Sequence, residues 1–227
     1  MNPNYSQGNQ WFFTGNPPSS GVQLSYAFSE MIDFTARIQN GLYQGITDNN
    51  GFKTFMGSLG IKPDKKTSIN LIGFGGREGM SSSQWLKGGS LIASRQLTEK
   101  YNLNFATELD YFSLDTGGGC AEWWSIGGWL WMDFSPKVGL ALRGDFVKDN
   151  DGAGTAGALG FANGPTGDPA GNNTGQDLLG LTLTLNWRPV PRIKISPEIR
   201  YDHTSLGGGF DSKRDRFIIG AGVSYLF

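Results

Sequence analysis

Phe217-Ile218-Ile219-Gly220-Ala221-Gly222-Val223-Ser224-Tyr225-Leu226-Phe227 closes the chain, and its alternation sets the reading of everything before it. Phe217, Ile219, Ala221, Val223, Tyr225 and Phe227 fall on one parity; Ile218, Gly220, Gly222 and Ser224 fall on the other. A β-strand sends successive side chains to opposite faces, so this segment has one apolar face and one small or polar face. The same pattern recurs upstream. Leu179, Leu181, Leu183, Leu185 and Trp187 alternate with Gly180, Thr182, Thr184, Asn186 and Arg188. Ile193, Ile195, Pro197, Ile199 and Tyr201 alternate with Lys194, Ser196, Glu198, Arg200 and Asp202. Val138, Leu140, Leu142 and Phe146 oppose Lys137, Arg143 and Asp145. Leu103, Phe105, Leu109 and Tyr111 oppose Asn104, Glu108 and Asp110, and Phe34 and Ile38 oppose Asp33, Arg37 and Gln39. Around 123–131 both parities carry Trp, so the stretch leaves open which of its faces is outward.

These periods predict strands over 22–29, 32–45, 51–61, 66–78, 83–97, 101–113, 121–134, 137–148, 177–188, 192–203 and 215–227. Most are longer than the strands of soluble sheets and match the roughly 9–11 residues that a tilted strand needs to cross a bilayer. Counted back from the end, the connections alternate long and short: 204–214 long, 189–191 short, 149–176 very long, 135–136 short. Short periplasmic turns and long outer loops are the mark of outer-membrane barrels. That rule puts 30–31, 62–65, 98–100, 135–136 and 189–191 in the periplasm, and 46–50, 79–82, 114–120, 149–176 and 204–214 outside. Because such barrels close on an even count, Gln10-Trp11-Phe12-Phe13-Thr14 is the candidate for a twelfth strand. The expectation is all-β: a single antiparallel up-and-down transmembrane barrel over 1–227, of about 12 strands within a range of 10–14, with 1–9 as an extension.

Composition agrees. Gly numbers 35, aromatics make up 13% and apolar residues 38%, a poor recipe for a thick soluble core. No run of 18 apolar residues exists to form a spanning helix. Met1-Asn2-Pro3-Asn4 shows no basic-then-apolar leader. Net charge is −1, which gives no global attraction for nucleic acid. One cysteine, Cys120, can neither make an internal disulfide nor a metal cluster.

The ending Gly222-Val223-Ser224-Tyr225-Leu226-Phe227 resembles the terminal signal read by the outer-membrane insertion machinery, carried here by Gly222, Tyr225 and Phe227, with Gly220 where that signal prefers a polar residue. Further stretches add to it: Ser20-Gly21-Val22-Gln23-Leu24-Ser25-Tyr26; Asn40-Gly41 followed by Asn49-Asn50; Leu142-Arg143-Gly144-Asp145-Phe146 with Asp149-Asn150-Asp151-Gly152; and Pro197-Glu198-Ile199-Arg200-Tyr201-Asp202. In order and spacing they resemble the OmpL-like β-barrel porin family (porin-2 type) over most of 10–227. The resemblance implies an outer-membrane pore with the bilayer, the insertion machinery and small polar solutes or ions as partners. A homo-oligomer, or a periplasmic or surface protein partner, is also open. Family members carry a signal peptide and further strands ahead of the part matching Asn4–Gly21, so by this resemblance the chain starts within the family's fold.

The polar parity gives a lumen-facing set: Arg37, Glu108, Asp110, Arg143, Asp145, Arg188, Lys194, Glu198, Arg200, Asp202 and Arg216. Charges in a spanning segment face water or one another. Two readings stand together: a lattice that stiffens the wall, and a transverse field across a water-filled constriction. Loop 149–176, with eight Gly and two Pro, reads as a mobile outer loop or an inward constriction. Asp149-Asn150-Asp151-Gly152 lacks the later acidic ligand of a calcium loop and reads as a turn. His203, the chain's one histidine, lies beside Asp202, yet strand neighbours diverge, so no catalytic pair is expected. No enzyme activity, cofactor or metal is expected. The alternatives are a barrel serving as scaffold or sheath for a partner, a barrel enzyme, and a soluble β binding protein.

Overall fold

A computed structural model of the protein describes residues 2–15, 19–42, 46, 48, 50–78, 84–115, 118–154, 175–207 and 209–225. The alternating segments become eleven strands among these residues: β1 (Gly21–Ala27), β2 (Ile32–Gln39), β3 (Thr54–Asp64), β4 (Thr67–Arg77), β5 (Trp85–Thr98), β6 (Leu103–Asp115), β7 (Cys120–Ser135), β8 (Val138–Asp149), β9 (Gln176–Val190), β10 (Ile193–Thr204) and β11 (Asp215–Tyr225). Each pairs antiparallel with the next in one up-and-down sheet, in the order of the chain. Short connections gather at one end of the sheet and long ones at the other. No described helix is long and apolar enough to cross a membrane.

Among the boundaries that move from their expected places, two have a local cause. The second strand stops at Gln39 rather than 45, where Gly41 takes φ 147°. The third runs on to Asp64, and its turn forms at Lys65-Lys66, because the Asp64 carboxylate accepts the Lys66 N–H (2.7 Å) and the Thr67 hydroxyl (3.1 Å).

The larger correction concerns 10–14. This segment is not a twelfth strand but a short helix, α1 (Asn9–Thr14), set against the inner faces of β6–β9. Aromatic run and β-propensity favoured a strand; tertiary contacts override them. Asp145, reaching from β8, accepts the backbone N–H of Asn9 (2.8 Å) and Gln10 (3.3 Å), two donors that a helix start leaves free. Thr14 donates back to the Gln10 carbonyl (2.8 Å).

Register resolves the tryptophans of β7. Trp123 lies opposite Asp149 and Trp129 opposite Arg143, on the inward parity; Trp124, Leu130 and Met132 point outward. The inward face carries a small apolar cluster towards the long-loop end, in which Trp123, fully buried, stacks on Phe112 (5.1 Å between centroids) beside Leu86 and Leu114. The outward parity is exposed and apolar: Leu179, Leu181, Leu183, Leu185, Ile199, Phe217, Ile219 and Val223. At the sheet's margins, β1 and β11 run in the same direction, and neither has a strand on its outer side among the described residues.

Candidate functional site: a charged inner wall holding segment Asn2–Gly15

Six of the expected inward charges come together: Asp110, Arg143, Asp145, Glu198, Arg200 and Asp202 are all nearly buried on the inner faces of β6, β8 and β10. What buries them is the segment Asn2–Gly15, laid along the wall. Glu198 accepts the backbone N–H of Tyr5 (2.8 Å) and Ser6 (3.2 Å) and the Ser6 hydroxyl. Arg143 donates Nη1 to the Ser6 carbonyl (2.6 Å) and Nη2 to Thr182 (2.8 Å). Arg200 donates Nη1 to the Gln7 carbonyl (2.6 Å) and Nη2 to Asn9 Oδ1 (2.9 Å). Asn4 donates to Thr184 (2.7 Å), and Gln10 Nε2 to Asp110 (2.8 Å). An extended backbone has N–H and C=O groups that burial would orphan, and here charged side chains satisfy them from the wall.

The charges also pair among themselves. Arg200 Nε donates to Asp202 Oδ1 (2.7 Å), and Arg216 Nη2 to Asp202 Oδ2 (2.7 Å). Arg143 Nε stands 3.3 Å from Asp145 Oδ2, near enough for charge attraction though not aligned for a hydrogen bond. The close approach needs bare backbone at several glycines, two of which illustrate it. A Cβ at Gly180 would sit 2.8 Å from the Asp145 carboxylate, and one at Gly222 would meet the Tyr5 ring at 2.3 Å.

The remaining expected residues lie apart. Glu108 is half-buried beside α1. Arg188 bonds Asp133 (3.0 Å) near the short-turn end, and Lys194 stands opposite Ser224 on the same inward parity. Arg37, on β2, bonds Gln23 (2.7 Å), away from the segment. In the terminal signal, Gly222 lies under Tyr5, Tyr225 is exposed, and Phe227 falls outside the described residues, as does most of loop 149–176. Asp149 accepts the Gly154 N–H (3.0 Å) and Asp151 the Glu122 N–H (3.0 Å), as turn residues do. His203 faces outward to Asp215 (2.8 Å), while Asp202 faces in.

Sequence reading missed the segment's own groups and their uncharged partners Ser125, Thr184 and Asn186 on the wall. The available signal was Asn2–Gln10 itself: rich in Asn and Gln, without period, and followed at once by aromatic residues.

Nearer the long-loop end, Glu78 takes the Leu42 N–H (2.9 Å) and the Thr54 hydroxyl; burial pushes its carboxyl above the ordinary range against those two bonds.

Comparison with solved structures gives the same architecture. The outer-membrane channel DcaP of Acinetobacter baumannii superposes with a TM-score of 0.58 at 10% identity, over 92% of this chain and 62% of that one. A porin superposes with 0.58 at 9% identity, over 98% and 66%. The siderophore receptor PirA of Pseudomonas aeruginosa gives 0.55 at 11% identity, over 90% and 37%. The chain therefore spans between about a third and two thirds of the length of these proteins. No curated protein matches it. The family described as "Putative beta-barrel porin-2, OmpL-like" matches residues 1–227, and the chain belongs to that family.

Proposed function

We propose that this outer-membrane barrel protein passes small polar solutes or ions passively, through a lumen that segment Asn2–Gly15 narrows from one side. The supporting observation is the asymmetry of the inner wall. Six charges of β6, β8 and β10 are buried under the segment; among the described residues the inward parity of β1–β5 carries no such cover, and Arg37 there bonds Gln23 of the neighbouring strand. A cavity of about 660 Å³ opens at the short-turn end, lined by Lys62, Lys66, Ser94, Gln96, Asn104 and Trp131. The path runs between segment and β1–β5 wall, with lumen charges of both signs beside it.

Single-channel recording in planar bilayers tests this. Stable ohmic steps are expected, and deletion of Asn2–Gly15 should raise the unitary conductance severalfold. Silence from protein shown to be folded would overturn the channel reading. It would favour the second reading, a barrel filled by its own segment and serving as a scaffold, which the burial of that segment also supports.

A further inference from the structure

Between α1 and strands β5–β7 lies a second cavity, of about 340 Å³, within the size range of small-molecule sites. Its walls include Gln10 and Trp11 from the segment, and Ile92, Glu108, Trp129 and Arg143 from the sheet. The ionic state of this wall is uneven. Arg143 is already committed to Asp145, the Ser6 carbonyl and Thr182. The Glu108 carboxylate, by contrast, makes no ion pair and receives no hydrogen bond among the described residues; its register neighbours are Ile92 and Gly127, which have nothing to give. Asp110, two residues along on the same face but outside the lining of this cavity, is held by neutral donors among the described residues: Gln10, Thr14 and Ser125.

An acceptor is also left over. Gln10, only 2% exposed, has both Nε2 protons engaged by Asp110 and the Glu108 carbonyl, while its Oε1 has no partner. Buried polar atoms in native proteins are almost always satisfied, so a wall with an orphaned acceptor and a carboxylate that no described residue pairs with fits a ligand that brings donors and positive charge. Two indoles, Trp11 and Trp129, stand on the same wall, and an aromatic face attracts a cation. A smaller pocket of about 60 Å³ shares Gly15, Ile92 and Glu108 with this cavity and is walled by Phe74 and Phe112, giving room for a short methylene chain next to the charge. Trp129 Nε1, an orphaned donor, is the feature that a neutral hydroxyl ligand would satisfy instead.

We propose that this cavity is a subsite for small organic cations, an alkyl-linked amine or guanidinium, with Glu108 as the charge partner and Gln10 Oε1 as a second acceptor. The proposal names the solute class for the channel reading and rests on it for access, but binding itself needs no conduction. The test is isothermal titration calorimetry on the refolded full chain in detergent, with three probes of equal length: 1,4-diaminobutane, 1,4-butanediol and succinate. The diamine should bind at least tenfold more tightly than the diol, and succinate should give no heat. Glu108→Gln, which keeps the size of the side chain, should remove the diamine's advantage. Equal affinity for diol and diamine would overturn the proposal in favour of a hydroxyl site. Diamine binding unchanged within twofold in Glu108→Gln would overturn it as well, and the comparison of probes on the unaltered protein needs no variant to fold. If the barrel is silent in bilayers yet binds the diamine, the channel reading fails and the subsite stands. If it conducts and the diamine does not bind, the subsite alone is wrong.

Discussion

Asp145 accepts two N–H groups at the start of α1 and stands against Arg143, both side chains being almost completely out of water. Removing one partner of such a buried pair leaves the other charge uncompensated. Asp145→Ala should therefore destabilise the folded barrel by about 3–5 kcal/mol, read by urea unfolding of refolded protein in detergent. Trp123→Ala, which empties a site packed by Phe112, should cost a similar amount, about 3–5 kcal/mol, by the same measurement. The two residues differed in legibility. Asp145 sits in Leu142-Arg143-Gly144-Asp145-Phe146, where charge alternates with large apolar side chains, and its inward direction follows from the sequence. Trp123 has a tryptophan on either parity beside it, and only the register against Phe112 and Asp149 fixes which one is inside. Asn9 and Ser6 were not legible at all, because uncharged residues in a stretch without period give neither a face nor a partner.

Among elements, strands were read closely and the helix was not. Eleven predicted strands correspond to eleven observed ones, since period-2 alternation survives any tertiary arrangement that keeps one face in lipid and the other away from it. Gln10–Thr14 carries the aromatic residues of a strand, yet six residues of helix form there under the influence of a carboxylate that lies about 135 positions away in the chain. Such long-range capping leaves no local trace. A loop contact offers a pH test at this scale. Glu78 has its carboxyl raised by burial, so the folded state holds that proton more tightly than the unfolded chain does. By linkage, its contribution is fully present below the ordinary glutamate range and is lost as pH rises through its raised value. The stability of the natural chain relative to Glu78→Gln should thus fall as pH rises above the ordinary glutamate range, the direction opposite to that of a salt-bridged carboxylate, as checked by urea unfolding across a pH series.

At the scale of the whole molecule, the inner wall has a held side and an open side, and charge changes should act differently on each. Arg37, on the open side, is placed to affect permeating ions: Arg37→Glu should shift the reversal potential in a KCl gradient towards cation preference while leaving unfolding little changed. Arg200→Glu should instead loosen segment Asn2–Gly15, because that guanidinium holds Gln7 and Asn9, and the readout is larger, noisier conductance together with lower stability. The shared heading of β1 and β11 works as a counting rule for whatever completes the wall. If the two margins zip directly to each other, the seam is a parallel ladder, with slanted bonds unlike every other junction in the sheet. If every junction is to be of one kind, the strands that bridge the gap must be odd in number, whether one or five, which brings the total to an even figure.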